Sequence, residues 1–487
     1  MAVPKRKCGA IFVECDRARW RVWAPKCRHL QLLLDDSPPQ EMTPTSHGWF
    51  EHEAAARAGT RYAFLLDGKT RADPCSLSQP DGPAGKSALF NPALFPWHDA
   101  GWQGIPRQDL VFYELHVGTF TPEGTFQAII PRLQSLRDLG ITAIELMPIA
   151  QFSGNRNWGY DAVLPYAAQN SYGGPLGLQK LIDAAHAMGL AVFLDVVYNH
   201  MGPEHNYLDD FGPYFTDNYK TPWGRAINFD GPGSDPVREF VLSNVRMWLE
   251  EFHADGLRLD AVHAIYDFGA HHILAQIKET AAEVAARTRR DIHIVAESDL
   301  NDPRIVLPAE RGGHALDAQW SDDFHHALHV LLTGERRGYY ADFQGAPDLP
   351  KILQSPFLFA GTYSQTRQRT HGLPPRGIPG DHFVVCTQNH DQVGNRAVGD
   401  RLTTQLNSPE KLRLAACLLL LSPYLPLLFM GEEYGETSPF PFFCSFESPD
   451  LIQAVRQGRK REFADFAEGS DLPDPQSEST FHSAQLT

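Results

Sequence analysis

Three carboxylates each stand just past an apolar, strand-like run of the sequence. Asp260 follows Gly-Leu-Arg-Leu, Glu297 follows Ile-Val-Ala, and Asp391 follows Thr-Gln-Asn-His. Hydrolysis of a glycosidic bond needs a nucleophile or base, a proton donor and stabilisation of developing charge at one point. The three side chains are therefore candidates for such a site.

A carboxylate at a strand end is more often a helix cap or an ion-pair partner, so the neighbouring residues must decide between these interpretations. Arg258 lies two residues before Asp260, and on a strand both side chains point the same way. The guanidinium can therefore keep Asp260 ionised. Together with His200 and His390 at comparable places, the set favours catalysis.

Eight apolar segments alternate with helical stretches and predict a closed (β/α)8 TIM barrel with loop insertions, mainly over residues 203–236 and 347–381. The predicted strands are residues 110–117, 141–147, 190–197, 255–260, 292–297, 315–320, 383–388 and 424–430. Barrel enzymes carry their active sites at the carboxyl ends of the strands. Asp260, Glu297 and Asp391 follow the fourth, fifth and seventh strands, so they can converge.

Before the barrel, short alternating runs separated by turn residues predict an N-terminal antiparallel β-sandwich. The sequence divides into a carbohydrate-module-like sandwich over residues 1–92, a catalytic barrel over residues 93–466 and a polar tail over residues 467–487. Because the tail is short and poor in apolar residues, we expect it to be disordered or loosely attached.

Composition argues against several classes of partner. The chain has 487 residues and a formal net charge of −16, which disfavours nucleic acid and anionic membranes as partners. Its seven cysteines lack CxxC spacing, so we expect neither a disulfide framework nor a zinc site. No window approaches the roughly 20 apolar residues that span a bilayer. We therefore expect a cytoplasmic protein with a neutral substrate, and the sequence does not indicate an oligomeric state.

Four segments resemble the signature regions of the α-amylase family of retaining glycoside hydrolases. They are residues 195–200, 256–263, 295–297 and 389–391. The resemblance implies that Asp260 is the nucleophile and Glu297 the general acid/base. It also implies that Asp391 binds the sugar ring and stabilises the distorted conformation of that ring.

The same resemblance implies a set of residues that contact substrate. His200 and His390 would hydrogen-bond to sugar hydroxyls, and Tyr160 would stack beneath the ring, since aromatic faces suit the C–H faces of pyranoses. Trp158 is either a second platform or a packing residue. The remaining candidates are Arg258, His263, Trp320, Asp322 and Phe324.

Asn199 matches a position that binds calcium in many members of the family. An asparagine that satisfies loop backbone is at least as good an interpretation, because no acidic cage accompanies it. Catalysis by two carboxylates does not require a metal, so we expect neither a metal nor a cofactor.

Within the family, residues 113–121, 145–152, 319–326 and 333–340 resemble the trehalose-releasing subgroup. The resemblance implies hydrolysis of the α-1,4 bond next to the terminal trehalose of maltooligosyl trehalose, a neutral oligosaccharide. Residues 320–326 would then line the reducing-side subsites, or else form a capped helix start. A 1,4-α-glucan branching enzyme and a non-catalytic glycan-binding protein are the alternatives.

Members of the subgroup usually carry a C-terminal β domain. The sequence ends at Thr487, after the eighth predicted strand and a short polar segment. We therefore expect this domain to be absent from the chain, and any barrel surface that it would cover to be exposed.

Overall fold

Two antiparallel sheets lead into a closed parallel barrel. The computed structural model describes residues 6–35, 37–462 and 472–487. Within these ranges, no helix is long and apolar enough to cross a membrane. The architecture confirms the predicted sandwich followed by a (β/α)8 barrel.

The N-terminal sheets form a sandwich around an aromatic core. One sheet has the strand order Gly9–Glu14, Arg17–Trp23, Trp49–Ala55 and Thr43–Pro44. The other has the order Gln40–Glu41, Leu30–Leu34, Arg61–Leu66 and Lys69–Arg71, and Ser87–Ala88 also pairs with Arg61–Leu66. Trp20 and Tyr62, one from each sheet, are buried and meet edge to face with 5.8 Å between ring centroids. The alternating pattern of these strands reflects one face turned to this core.

Eight parallel strands close into the barrel in sequence order. Their bounds are Phe112–Leu115, Ala143–Leu146, Ala191–Val196, Gly256–Leu259, His293–Ala296, Ala318–Trp320, Phe383–Cys386 and Leu425–Phe429. Each lies inside a segment predicted from the sequence, and the last strand pairs with the first through Leu427 and Phe112. Closure leaves the barrel without an open edge.

The side chains inside the barrel change from apolar to charged along its axis. Near the amino ends of the strands, Phe112 and Phe193 meet edge to face, with ring centroids 4.9 Å apart. Side chains repeat every two residues along a strand, so Glu114 and Asp195 point inward one layer further on. Arg258 pairs with Asp195 in register and joins the same layer. This charged layer lies directly beneath the carboxyl ends of the strands.

Helices and short hairpins cover the barrel and build its loops. The α-helices are Val117–Phe120, Phe126–Ile129, Leu133–Leu139, Gly174–Ala187, Leu208–Phe211, Ser234–Arg246, Ile273–Thr288, Asp322–Thr333, Leu349–Ile352, His390–Gly394, Leu402–Leu406, Pro409–Leu420, Pro449–Glu462 and Glu478–Ser483. The hairpins pair Ala150–Gln151 with Leu164–Ala168, Phe215–Thr221 with Gly224–Ile227, and Thr362–Ser364 with Arg369–His371. The last two hairpins lie in the two insertions that the sequence predicted.

The helix Asp322–Thr333 begins and ends at residues suited to those positions. Two carboxylates, Asp322 and Asp323, stand in its first turn, where the helix dipole favours negative charge. Gly334 ends the helix in the left-handed region, with φ 78°. The helix therefore presents its acidic end to the carboxyl face of the barrel.

Contacts join the sandwich to the barrel and to the first insertion. Arg6 Nε donates to Glu251 Oε1 at 2.9 Å, and both side chains are buried. The Trp23 ring meets Tyr214 of the insertion edge to face, with centroids 5.3 Å apart. The sandwich thus supports a loop that borders the carboxyl face.

Residues 472–487 pack against the barrel, which differs from the expectation of a loosely attached tail. The Phe481 ring meets Phe443 edge to face, with centroids 5.1 Å apart. The Leu486 N–H donates to a barrel carbonyl at 3.1 Å. The tail has few apolar residues, but these find partners on the barrel surface, so composition alone was misleading. The rest of the predicted tail, residues 467–471, lies outside the described residues.

Candidate active site

Arg258 is the centre of a buried charge cluster at the carboxyl ends of the strands. Its Nη1 donates to Asp195 Oδ2 at 2.8 Å and to Asp260 Oδ1 at 3.0 Å. Its Nη2 lies 3.0 Å from Glu297 Oε2, and the arginine side chain is fully buried. One guanidinium therefore contacts both carboxylates that a retaining mechanism would use.

A second contact fixes each of these two carboxylates. Asn199 Nδ2 donates to Asp260 Oδ2 at 2.7 Å, so both oxygens of Asp260 accept hydrogen bonds. The Ala261 N–H donates to Glu297 Oε2 at 2.8 Å. Ala261 has a left-handed backbone, with φ 39°, a conformation that costs a non-glycine residue about 1–3 kcal/mol. Among the described residues, Glu297 Oε1 has no hydrogen-bond partner, so this oxygen is available to a substrate.

A chain of hydrogen bonds runs beneath the open site from Glu114 to Asp195. Glu114 Oε1 lies 2.6 Å from His390 Nδ1, and His390 Nε2 lies 2.8 Å from the Tyr160 hydroxyl. That hydroxyl donates to Asp195 Oδ2 at 2.6 Å. Burial opposes protonation of His390, but Glu114 and Asp391 outweigh burial and raise the pKa of His390 to about 9. His390 is therefore a doubly protonated donor at neutral pH.

Asp391 opens onto a cavity beside the charge cluster. Its side chain is 39% exposed, and its N–H donates to Asn389 Oδ1 at 2.9 Å in a capping box. The cavity has a volume of about 360 Å³. Its lining residues are Asp299, Asp322, Asp323, His326, Tyr339, Asp342, Phe343, Phe359, Thr366, Arg367, Asp391, Gln392 and Asn395. Aromatic faces and many hydrogen-bonding groups together suit a sugar.

Burial and like charge shift several carboxyls towards their neutral forms. Desolvation raises the pKa of Asp195 to about 7. Desolvation, with Glu297 and Asp391 nearby, raises the pKa of Asp322 to about 8. Burial also raises the pKa of Glu145 well above its usual value, and neither of its carboxylate oxygens has a hydrogen-bond partner. When these carboxyls take up protons, the repulsion between negative charges around Arg258 is reduced.

Two further predicted residues stand at the rim of the site. His200 Nε2 lies 3.0 Å from Tyr160 O, and its ring stacks on the half-exposed Trp223 with centroids 4.9 Å apart. Burial lowers the pKa of His200 to about 4, so the ring is neutral. His263 Nδ1 lies 3.9 Å from Asp299 Oδ1, which lines the cavity. Both histidines are thus close to groups that border the opening.

Trp158, Trp320 and Phe324 are buried beneath the surface of the site, which agrees with the alternatives left open for Trp158 and for residues 320–326; contact of these three with substrate stays a prediction. Trp158 is buried and stacks on Phe440 with centroids 5.3 Å apart. Trp320 is also buried, and the Arg258 guanidinium lies 4.3 Å from its ring centroid. Phe324 is 1% exposed. Large aromatic rings stabilise most when fully covered, and packing was the stronger demand on these three.

Sequence reasoning assigned no role to Glu114, Glu145 or Asp195. Each stands inside an otherwise apolar strand, and a carboxylate is almost never buried there without a reason. That signal could have indicated the charged layer. Tyr339 and Arg367 also line the cavity, but they lie in loops whose paths the sequence does not predict.

The described part of the chain contains no cluster of metal ligands. No group of three or more His, Cys, Asp or Glu side chains in this part is arranged to hold an ion. Asn199, the position compared with a calcium ligand, donates instead to the carboxylate and the carbonyl of Asp260. Its contacts are those of a residue that orients Asp260.

Fold and site together define a class of protein. A closed (β/α)8 barrel with an arginine between two carboxylates at its strand ends is the architecture of an α-amylase-type glycoside hydrolase. Residues 84–223 match the family model described as the alpha amylase catalytic domain.

Individual relatives narrow this class to one family. The malto-oligosyltrehalose trehalohydrolase of Saccharolobus solfataricus is 50% identical over 97% of this chain and 82% of its own length. A crystal structure of a Salmonella typhimurium protein, assigned provisionally as an alpha amylase, is 43% identical, with a TM-score of 0.93 over 99% of this chain and 82% of that one. The 1,4-alpha-glucan branching enzyme of Geobacillus stearothermophilus is only 26% identical over 86% of this chain and 67% of its own. The chain belongs to the malto-oligosyltrehalose trehalohydrolase family.

Proposed function

We propose that the chain hydrolyses the α-1,4-glucosidic bond next to the terminal trehalose of maltooligosyl trehalose and releases α,α-trehalose. The observation that carries the proposal is the Arg258 guanidinium in contact with both Asp260 and Glu297. Membership of a family whose Saccharolobus relative is named for this activity supports the choice of substrate.

Asp260 is the proposed nucleophile. Arg258 and Asn199 each donate to one of its oxygens, which fixes the rotation of the carboxylate. An oxygen of Asp260 attacks the anomeric carbon, and a glycosyl ester forms as the glycosidic bond breaks. Glu297 gives its proton to the departing oxygen through Oε1, so trehalose leaves as a neutral alcohol.

Glu297 then works as a base. It takes a proton from a water molecule, whose oxygen attacks the same anomeric carbon and displaces Asp260. The glucan leaves with its configuration retained, because the carbon has been inverted twice. Glu297 has regained its proton and Asp260 its charge, so the cycle is closed.

Asp391, His390 and Tyr160 are the proposed sugar-binding groups at the cleaved bond. The partly exposed carboxylate of Asp391 can accept from two ring hydroxyls. Glu114 orients His390, which in turn fixes the hydroxyl of Tyr160. A tyrosine ring held in this way is a rigid platform for the C–H face of a pyranose.

The cavity beside Asp391 is the proposed site of the trehalose unit. Its volume of about 360 Å³ is within the usual range for small-molecule sites. Asp322 is largely protonated at neutral pH and can donate to a sugar hydroxyl, since its pKa is raised to about 8. Arg367 also lines this cavity and can donate to further hydroxyls of the sugar, and the Tyr339 ring can stack on a face of the sugar.

Product analysis tests this function directly. The protein is incubated with maltooligosyl trehalose and, separately, with a maltooligosaccharide of equal length. We expect free trehalose from the first substrate and slower hydrolysis of the second, with Asp260→Asn as the inactive control. A branched glucan without free trehalose would contradict the proposal and indicate transfer to a sugar acceptor. Binding without turnover would indicate a glycan-binding protein.

A further inference from the structure

The catalytic segment, residues 387–396, carries Asp391 between two anchored ends. At its start, the Thr387 carbonyl lies 2.6 Å from His325 Nδ1. His325 is 1% exposed and belongs to the helix Asp322–Thr333. This helix therefore holds the beginning of the segment.

The same helix also holds the other end of the catalytic segment. Arg396 Nη1 donates to Glu335 Oε2 at 2.9 Å, and the same oxygen lies 2.8 Å from His329 Nε2. His329 is on the helix, one turn after His325, and Glu335 follows directly after the helix. Two histidines on one helix face thus fix the segment on both sides of Asp391.

The second ring nitrogen of His325 contacts the wall of the cavity. His325 Nε2 lies 2.8 Å from the Tyr340 hydroxyl. Burial lowers the pKa of His325 well below its usual value, so the ring carries one proton. A carbonyl can only accept, so Nδ1 donates to Thr387 and Nε2 accepts from Tyr340. Both bonds use the single tautomer that this geometry permits.

Tyr340 is continuous with groups that face the cavity. Its neighbour Tyr339 and the helix residue His326 both line the cavity, and their rings are in contact, with centroids 4.8 Å apart. Tyr340 itself is buried and stacks on His329 at 4.2 Å. A group that fills the cavity would therefore contact Tyr339 and His326, which adjoin Tyr340 and His325; His325 in turn connects this side of the cavity to Thr387.

We propose that His325 is a positioning residue that couples the cavity wall to Asp391, so that catalysis depends on what occupies the cavity. The proposal rests on the proposed function, since it places the trehalose unit in that cavity. The His325 ring is hydrogen-bonded through both of its nitrogens, so it connects Tyr340 at the cavity wall to Thr387 at the start of the segment that carries Asp391. Trehalose in the cavity would thereby bring Asp391 to its working position, and a plain glucan end would do so less well.

Two variants break the coupling from opposite sides. Tyr340→Phe removes the hydroxyl that contacts His325 Nε2, while His325→Asn keeps a donor near Thr387 and loses the same Nε2 bond. We expect each variant to lower kcat/KM for maltooligosyl trehalose about 3- to 10-fold, as for one lost hydrogen bond, because Asp391 acts in the transition state. For a maltooligosaccharide of equal length, we expect kcat/KM to stay within about two-fold. The double variant should be no worse than either single one, because both remove one interaction.

Tyr424→Phe is the matched control. Tyr424 is also buried, and its hydroxyl donates to Ile352 O at 2.7 Å, but it has no hydrogen bond to the catalytic segment. This variant should lose similar stability while both substrates keep their kinetic constants. His325→Phe, which removes both bonds, should lower kcat on both substrates as well.

An unchanged kcat/KM of Tyr340→Phe on maltooligosyl trehalose, or an equal loss on both substrates, would overturn the coupling. The Tyr340→Phe measurement remains decisive even if a His325 variant does not fold. Failure of the proposed function would look different, because the unmodified protein would then release no trehalose. If the unmodified protein releases trehalose and the variants keep its kinetic constants on both substrates, only the coupling is refuted.

Discussion

The two ends of the barrel bury ionisable side chains in opposite ways. At the carboxyl end, one guanidinium is shared among three carboxylates, and polar atoms of Glu145, Asp195 and Trp320 have no hydrogen-bond partner. At the amino end, acids and bases alternate, and both carboxylate oxygens of Asp255 are hydrogen bonded. One end accumulates like charge and the other neutralises it.

The network at the amino end fastens the linker, residues 89–111, which joins the last strand of the sandwich to the first strand of the barrel. Asp255 accepts from Trp102 Nε1 at 2.7 Å and lies 2.9 Å from His186 Nε2. Asp99 of the linker lies 2.9 Å from His186 Nδ1 and 2.7 Å from His253 Nδ1. Burial opposes the charge on His186, but the two aspartates outweigh it and raise the pKa of His186 to about 9.

This difference shows how one fold separates chemistry from stability. Perturbed carboxyls gather at the end where charge must change during a reaction, and complementary charges gather where the chain must simply be held. If this is correct, changes at the carboxyl end should lower turnover or relieve repulsion between like charges, and changes at the amino end should lower stability. Four experiments test that separation.

The largest expected effect is that of Asp260→Asn at the carboxyl end. The amide has the shape of the carboxylate but cannot form the glycosyl ester, so we expect kcat to fall roughly 10⁴-fold or more. The melting temperature should change far less than turnover, because the amide oxygen can still accept from Arg258, although the amide NH2 group can no longer accept from Asn199. Initial rates of trehalose release and thermal unfolding check both statements. A rate within about ten-fold of the unmodified protein would contradict the assignment of the nucleophile.

At the amino end, Asp255→Asn should do the reverse. It leaves the buried charge of His186 with one partner, which should lower the free energy of unfolding by about 3 kcal/mol. Turnover at room temperature should not change. Urea denaturation and a rate assay measure the two quantities. Asp183→Asn is the control, because its partner His98 is exposed, and it should cost less than about 1 kcal/mol.

The pH dependence of His186→Gln sharpens the same point. Because folding raises the pKa of His186 from 6.5 to about 9, the folded state binds the proton more tightly. This contribution is fully present below pH 6.5 and is lost as the pH rises through about 9. The difference in melting temperature between the protein and the variant should shrink over that range. A constant difference would show that His186 does not act through its charge.

The smallest effect is expected for Asp322→Asn. Folding raises the pKa of Asp322 from 3.8 to about 8, so the stability that its proton confers is present below 3.8 and lost as the pH rises through 8. Asparagine does not titrate. At acidic pH, the variant and the unmodified protein should have the same free energy of unfolding. At about pH 9, the variant should be more stable by roughly 1 kcal/mol. Parallel melting curves at every pH would contradict a raised pKa.

Most of the fold could be predicted because each barrel strand carries its own signal. Runs such as Phe112–Leu115 and Ala191–Val196 are wholly buried, so their apolar residues are consecutive and easy to recognise. Position along a strand also placed Arg258 on the same side as Asp260, which the structure confirms with a contact of 3.0 Å. The local sequence pattern was sufficient wherever a prediction depended only on the residues of a single strand.

What could not be predicted depends on partners distant in sequence. The partner of His390 is Glu114, 276 residues away, and no local pattern pairs them. Trp158 packs on Phe440 for the same kind of reason, so its burial was not predictable from the segment that contains it. Composition was misleading for the tail, where the Phe481 ring packs on Phe443 and the Leu486 N–H donates to a barrel carbonyl.

The contact between Arg6 and Glu251 has a consequence for how the protein is made. The two residues are 245 positions apart, and both are buried in the finished molecule. A ribosome that adds ~5–20 residues per second exposes Arg6 roughly 10–50 s before its partner. Throughout that interval the sandwich can fold but cannot dock, and its barrel-facing surface is open to chaperones. Docking through this contact must therefore wait until Glu251 has been translated.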